Sequence, residues 1–415
     1  MKKNVLLLVN QLHGGGAQKV VANMSKYLSE FYNITIAIYN DTDKVVFDYK
    51  GDLVKLNLPY ASDTHNNPFF KRMLRSLSLL RQVRKLKKKR NIDATISFME
   101  ASNIINILAR RKDVVIVSVR SYLSHEFADM PRLRVFSKFI RVLYNRADHV
   151  VAPAALVRRD LVENFGVSNR KVELIYNFTD ISFANKSKEE TLPAHHENIF
   201  HGKNVIINVG RMNFPKAQWL QPMILARVIR NIPQAKLVIL GDGVLKEKIY
   251  ETAKRENLKI YEEGVSAPGD AANDFDVYLL GFTRNPFPYL AKSTLFMKSS
   301  VYEGFPNVII EAMSCGLPII SSDCASGPRE IISPGSDINT SAKENEFAEY
   351  GVLTPVSGVN GVTEDQYAAF ATDAIITLLS DPSKKSHYQQ KSIERAKDFD
   401  VSSIINQWIQ LIEKK

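Results

Sequence analysis

Short apolar runs recur along the chain, separated by stretches in which apolar positions return every three or four residues. Residues 5–9, 34–38, 94–98, 114–119 and 149–152 read as strands buried on both faces. Between them, residues 17–32, 102–111 and 133–144 have the spacing of amphipathic helices. The alternation starts afresh at 205–209, followed by a helix to 232, strands at 236–240, 277–281, 295–298 and 319–321, and two or three amphipathic helices from 364 to the end. Strand and helix in turn predict a parallel sheet with helices on both faces, and two such series predict two doubly wound α/β domains. We place the first domain at 1–180, a polar linker at 181–203 and the second domain at 204–397, with the closing helix, 398–415, packing back on the first. Two similar lobes imply an active site in the cleft between them.

The second series holds the most informative stretch, 301–320, where two carboxylates, two glycines and two prolines sit between apolar runs. A helix starting near Pro306 leaves Glu303 in the preceding loop and sets Glu311 about a turn and a half inside. The free amides of that first turn would suit an anion such as a diphosphate. An amphipathic helix with solvated glutamates is the plainer alternative. Arg211 and Lys216 both issue from the carboxyl end of strand 205–209, where two cations could neutralise a diphosphate without a metal. Near the start, Gly14, Gly15 and Gly16 join a strand to a helix without the full dinucleotide spacing. They either admit a ligand to the backbone or simply make a tight turn. Arg120 and His125 follow strand 114–119, at the end of the sheet where ligands bind in such folds. His195, His196 and His201 lack zinc-ligand spacing and read as solvated linker residues, and the polar loop 335–350 reads as a lid or an insertion.

Charge adds a partner. The 415 residues carry a net +11, but Lys and Arg exceed Asp and Glu by 14 up to Asn185 and the remainder carries −3. Most of the excess lies in 68–90, where Phe70, Met73, Leu74, Leu77 and Leu80 fall at helical spacing among ten cations in residues 71–90 with no intervening acid. Such a helix can lie on an anionic membrane surface, with Arg134, Lys138, Arg141 and Arg146 of the later helix adding to the field. A solvated helix whose apolar stripe is core is the alternative. Aromatics are not interleaved among these charges, so nucleic acid is not expected. The absence of an apolar run of 18 residues, and an opening run too short for a signal peptide, point to a cytosolic protein. Cys315 and Cys324 read as buried spectators.

Taken in order, the Gly-rich first loop, Val209-Gly210-Arg211 with Lys216, Ile239-Leu240-Gly241-Asp242-Gly243, Leu280-Gly281-Phe282, Glu303 with Glu311, and Ala312-Met-Ser-Cys-Gly316-Leu-Pro318 resemble the retaining GT-B glycosyltransferases of family 4 that build bacterial surface glycans. The resemblance implies two Rossmann-like domains facing each other across a cleft, a UDP- or GDP-sugar donor and transfer with retention and without a metal or other cofactor. It implies that Arg211 and Lys216 hold the diphosphate, that Glu311 binds the ribose, and that Glu303 lies by the donor sugar with the Gly304, Phe305, Pro306, Asn307 and Val308 backbone. Two departures stand out. Lys216 is followed by Ala217-Gln218, where many relatives have a glycine and then an acid, and Arg120 takes the place of a common histidine. Arg120 and His125 are therefore both carried as catalytic candidates. The expected activity is sugar transfer to a lipid-diphosphate-linked or growing glycan, for capsule, O-antigen or a related polymer, by an enzyme peripheral on the inner face of the cell membrane. The rivals are a nucleotide-sugar 2-epimerase of the same architecture and a non-catalytic binder of membranes or polyanions.

Overall fold

The computed structural model describes residues 2–40, 44–59, 69–128, 133–267 and 275–414. Pro68 and the side chains of Phe69 and Arg134 lie outside the described residues. The chain divides into two compact units, Met1–Asn177 with Ser402–Lys415, and Phe178–Val401.

The first unit is built on seven strands: β1 (Asn4–Leu8), β2 (Asn33–Ile38), β3 (Asp52–Lys55), β4 (Ala94–Phe98), β5 (Val114–Ser118), β6 (His149–Ala152) and β7 (Val172–Leu174). They pair in the order β3-β2-β1-β4-β5-β6-β7, all parallel. The reversal of order beside β1 is the switch point of a Rossmann sheet, where ligands bind outside the strand ends. Residues of β4 and β5 are buried throughout, as apolar strands covered on both faces must be. From Ser402 on, the last helix, Val401–Glu413, belongs with this unit, and its Trp408 lies 6.3 Å from Phe98, ring centre to ring centre.

The basic helix forms over Phe69–Lys89, but its core stripe is not the expected one. Leu79, Val83 and Leu86 turn inward, whereas Phe70, Met73 and Leu77 are exposed. Of the expected stripe, Leu80 packs against the same cluster and Leu74 is half-buried. Lys87 is also buried, its ammonium 2.8 Å from Asp113.

The second unit carries β8 (Asn204–Val209), β9 (Ala235–Leu240), β10 (Ile260–Glu262), β11 (Val277–Leu279), β12 (Leu295–Lys298), β13 (Ile319–Ser322), β14 (Glu346–Ala348) and β15 (Gly351–Thr354). The order is β10-β11-β9-β8-β12-β13-β15-β14, with β14 antiparallel and the others parallel. The two doubly wound halves thus bear out the α/β reading. Residues 181–203, expected as a linker, instead form the helices Ile181–Ser187 and Ala194–Phe200. The first is capped by Asp180, whose carboxylate accepts the Phe183 amide at 2.8 Å. Nor is 335–350 a featureless loop. Arg329 binds Asp323 and Glu346 together, which ties β14 to the end of β13, while β14 pairs with β15 through the backbone.

Candidate functional site

In the second unit the predicted residues gather at the carboxyl ends of β8, β9, β11 and β12. Three loops there interlock through their backbones: the Gly210 amide donates to Leu240 O, Met212 to Asp242 O, and Gly241 to Gly281 O at 2.7–2.9 Å. The closeness requires glycine. A Cβ on Gly241 would stand 2.0 Å from Gly210 O, and one on Gly243 would stand 2.4 Å from Met212 O. Arg211 rises from this junction and is exposed, as is Phe282 beyond Gly281.

Lys216 closes a short 3-10 turn, Phe214–Lys216, after which Ala217 takes a left-handed conformation. That turn is tied to the loop after β12, because the Val301 amide donates to Pro215 O at 2.8 Å and Ser299 Oγ donates to Lys216 O at 2.9 Å. Gln218 is buried and donates to Gly210 O and Asn208 Oδ1, so it ties the Lys216 turn to the end of β8.

Glu303 sits at the centre of an ion cluster. One carboxylate oxygen meets Lys216 Nζ at 2.6 Å, and the other meets Lys298 Nζ and Ser300 Oγ, both at 2.8 Å. Glu303 and Lys298 are buried, and the Lys216 side chain is 23% exposed. Burial alone would raise the acid's pKa, but the two ammonium groups overcome it and hold Glu303 down at about 2. The Lys216 pKa is lowered too, which for an ammonium group disfavours the charge. Burial pulls its pKa down, and the like charge of Lys298 opposes part of what Glu303 returns. Two cations share one anion, so the cluster stabilises its carboxylate and leaves surplus positive charge at Lys216, the member open to solvent. A buried site with that surplus favours an anion. A carboxylate held near 2 with both oxygens engaged is no proton donor at neutral pH.

The turn from Gly304 leads into the helix Asn307–Ser314, as the proline predicts. Ser326 Oγ donates to Gly304 O at 2.7 Å, and Gly327 lets Pro306 pack at a distance that a Cβ would violate, 2.4 Å. Glu311 is buried on this helix. Asn213, between Arg211 and Lys216, has a buried Oδ1 with no hydrogen-bond partner among the described residues.

The first unit contributes a separate polar group at its own strand ends. Arg120 follows β5, stacks over Phe98 at 4.9 Å and donates to Asn177 Oδ1. Its Nε and Nη2 are buried with no partner among the described residues, and burial pulls its pKa down to about 9. Glu100 follows β4 after Met99, whose φ of 71° is rare for a side chain of that size. Burial, with Glu126 nearby, raises the Glu100 carboxyl to about 7. His125 is exposed and stacked on Tyr122, and Gly15 caps the helix Gly16–Leu28.

Sequence reasoning missed Lys298 and Glu100. A lysine closing the run Leu295-Phe296-Met297-Lys298 and an acid just past β4 were both visible at strand ends, the same signal that picked out Arg120. His196 also differs from expectation. It is buried, with Nδ1 2.9 Å from Tyr289 Oη and Nε2 3.0 Å from Glu263.

Residues 203–381 match the family described as Glycosyl transferases group 1, and residues 14–183 match Glycosyltransferase Family 4. An uncharacterized glycosyltransferase of Methanocaldococcus jannaschii is 30% identical over 88% of this chain and 89% of its own. A Campylobacter jejuni protein named N-acetylgalactosamine-N,N'-diacetylbacillosaminyl-diphospho-undecaprenol 4-alpha-N-acetylgalactosaminyltransferase is 29% identical over 96% of each chain. Among solved structures, Anabaena HepE in complex with UDP-glucose superposes with a TM-score of 0.71 at 18% identity, over 99% of this chain and 100% of its own. With both halves matched in order, and a relative of this identity along nearly the whole length, the chain belongs to the GT-B glycosyltransferases of the family 4 type.

Proposed function

We propose that the protein moves a sugar, with retention and without a metal, from a UDP- or GDP-sugar to a hydroxyl of a lipid-diphosphate-linked glycan. The observation that carries this reading is the surplus positive charge of the Lys216–Glu303–Lys298 cluster beside exposed Arg211. It is a preformed seat for a diphosphate leaving group, and charge placed before the reaction costs no reorganisation during it. Glu311 takes the ribose hydroxyls, and the Gly304–Val308 backbone faces the sugar, as does the solvent-side edge of the Glu303 cluster. Departure of the nucleoside diphosphate leaves an oxocarbenium-like centre that the acceptor attacks from the same face. Glu303 fixes Lys216 rather than forming a covalent intermediate. On the first unit, Arg120, after β5, offers its buried Nε and Nη2 to an acceptor oxygen, and Glu100, after the adjacent strand β4 and raised to about 7 by burial, can exchange a proton near neutrality.

The Campylobacter relative's name supports a polyprenyl-diphosphate acceptor, and the UDP-glucose bound to HepE supports a nucleotide-sugar donor. Among the described residues no helix is long and apolar enough to cross a membrane. The exposed apolar and basic face of Phe69–Lys89 supports association with the inner leaflet from the cytoplasm, and the helix Leu133–Tyr144 repeats the device with exposed Val135, Phe139 and Val142 beside Lys138 and Arg141.

The test is turnover in EDTA with a panel of UDP- and GDP-sugars and a polyprenyl-diphosphate glycan. Nucleoside diphosphate should appear only when the acceptor is present, with an axial-to-axial outcome at the anomeric carbon by NMR. The cognate donor at 100 times its dissociation constant should add about 2.7 kcal/mol to stability. An epimerised donor without acceptor, or an inverted product, would overturn the reading. Arg120→Ala should raise the acceptor KM at least about tenfold with the donor KM unchanged, and Arg120→Lys should not restore it, since a planar fork is lost.

A further inference from the structure

Away from the proposed donor seat, two adjacent histidines and a carboxylate converge on one point. His195 and His196 open the helix Ala194–Phe200, and Glu263 follows the edge strand β10. His195 Nε2 lies 3.3 Å from each Glu263 oxygen, and His196 Nε2 lies 3.0 Å from Oε2. One ligand atom from each residue can be chosen so that all three fall within 4.8 Å of one another. A tetrahedral ion with bonds of about 2.0–2.1 Å sets its ligand atoms roughly 3.3 Å apart, so these separations already approximate the edges of its coordination shell.

We propose that His195, His196 and Glu263 form a site for a divalent transition-metal ion of the zinc class, with the fourth position left to water. The outer partners of such a site are present. Tyr289 Oη is 2.9 Å from His196 Nδ1, and Tyr261 Oη donates to Glu263 Oε2 at 2.9 Å. Ligating imidazoles and carboxylates are ordinarily oriented in this way by groups behind them. Without metal, His196 donates from Nε2 to Glu263 and accepts from Tyr289. With metal, the imidazole proton resides on Nδ1, Tyr289 Oη becomes its acceptor, and the Nε2 lone pair goes to the ion. His195 stays accessible, its side chain 28% exposed, which gives the ion an entry path. Bound there, the ion fastens the helix Ala194–Phe200 to β10 and, through Tyr289, to the helix Phe287–Lys292. The site is structural and independent of the reaction proposed above.

The experiment uses the full chain without a histidine tag, stripped with EDTA, dialysed, and titrated with ZnCl2 by calorimetry and with CoCl2 by visible absorption. One saturable equivalent, an intense tetrahedral Co2+ band and a Tm that rises with Zn2+ are expected. His195→Ala and Glu263→Gln should each abolish the band, and Tyr289→Phe should weaken affinity about 10–100-fold while retaining it. No saturable uptake by the parent, or uptake that survives both ligand variants, would show that the cluster is a closed hydrogen-bond network and overturn the proposal. Circular dichroism of His195→Ala, a change at a partly exposed position, separates lost binding from lost folding.

Discussion

At the residue scale the decisive fact is that Glu303 is outnumbered. Its two lysine partners hold its pKa at about 2, below the 4.5 of an ordinary glutamate, so the folded chain prefers the ionised form more strongly than the unfolded chain does. The resulting stability is fully present above about pH 4.5 and is lost as pH falls toward 2. Glu303→Gln should therefore flatten the dependence of the urea midpoint between pH 6 and pH 3, and an unchanged slope would mean that the carboxylate is not held as described. Glu303→Ala is harsher, because glutamine keeps an oxygen that can accept from one lysine, whereas alanine leaves Lys216 and Lys298 with neither an anion nor an acceptor. Removing one partner from a buried pair costs about 3–5 kcal/mol, and partial exposure of Lys216 puts the expected loss near the lower end. In the glutamine variant turnover should fall more than nucleotide affinity, since Arg211 remains while the seat of Lys216 loosens. The reverse would make Glu303 a binding residue.

At the element scale, the glycines after β8, β9 and β11 determine how closely three strand ends can meet. Gly241→Ala drives a methyl group to 2.0 Å from a backbone oxygen, a contact that cannot relax by a side-chain turn. It should cost about 2–4 kcal/mol in chemical denaturation and abolish stabilisation by the cognate donor. Gly335→Ala is the control, with a φ of 86°, also positive, but nothing within 4 Å of the new Cβ, so it should show backbone strain alone, about 1 kcal/mol. Equal losses from the two would refute the close-approach account. These loops also mark what the sequence made legible. Apolar runs such as 94–98 and 295–298 coincide with β4 and β12, because a parallel strand buried on both faces is largely apolar. β3, β7, β10 and β14 are not legible in the sequence: each is an edge strand of three or four residues, half covered, whose polar positions imitate loop. The helices at 181–187 and 194–200 were hidden for a related reason, since each is only seven residues long. Arg211, Lys216 and Glu303 stand out in the sequence because they follow the apolar runs of β8 and β12, and Glu311 because it lies in the helix that Pro306 introduces. The pairing of Lys216 with Glu303 does not, because 87 residues separate them and only the sheet order brings β8 beside β12.

At the scale of the whole molecule, charge is segregated along the chain, with +14 up to Asn185 and −3 thereafter. The basic half does not use all its cations alike. Lys87 neutralises buried Asp113, whereas Arg84, Lys85, Lys88 and Lys89 are exposed on the same helix, which also exposes Phe70, Met73 and Leu77. If this face meets an anionic leaflet, each exposed cation adds about 1 kcal/mol, so changing those four to Gln should weaken binding to vesicles containing phosphatidylglycerol by about three orders of magnitude at low salt. The same attraction is screened over about 10 Å at 0.1 M salt, and binding of the parent should fall steeply as salt rises. Phe70→Ser with Leu77→Ser should remove the salt-resistant remainder, which depends on apolar burial rather than charge. Lys87→Gln should behave otherwise, lowering stability by about 3 kcal/mol or more because Asp113 is left buried and unpaired, with no selective effect on lipid. Through this series, affinity for the donor should change less than about threefold, under 0.7 kcal/mol, because the proposed donor seat lies in the second unit and its contacts act at short range. Vesicle binding that persists in the four-Gln variant at low salt would place the membrane surface elsewhere on the chain.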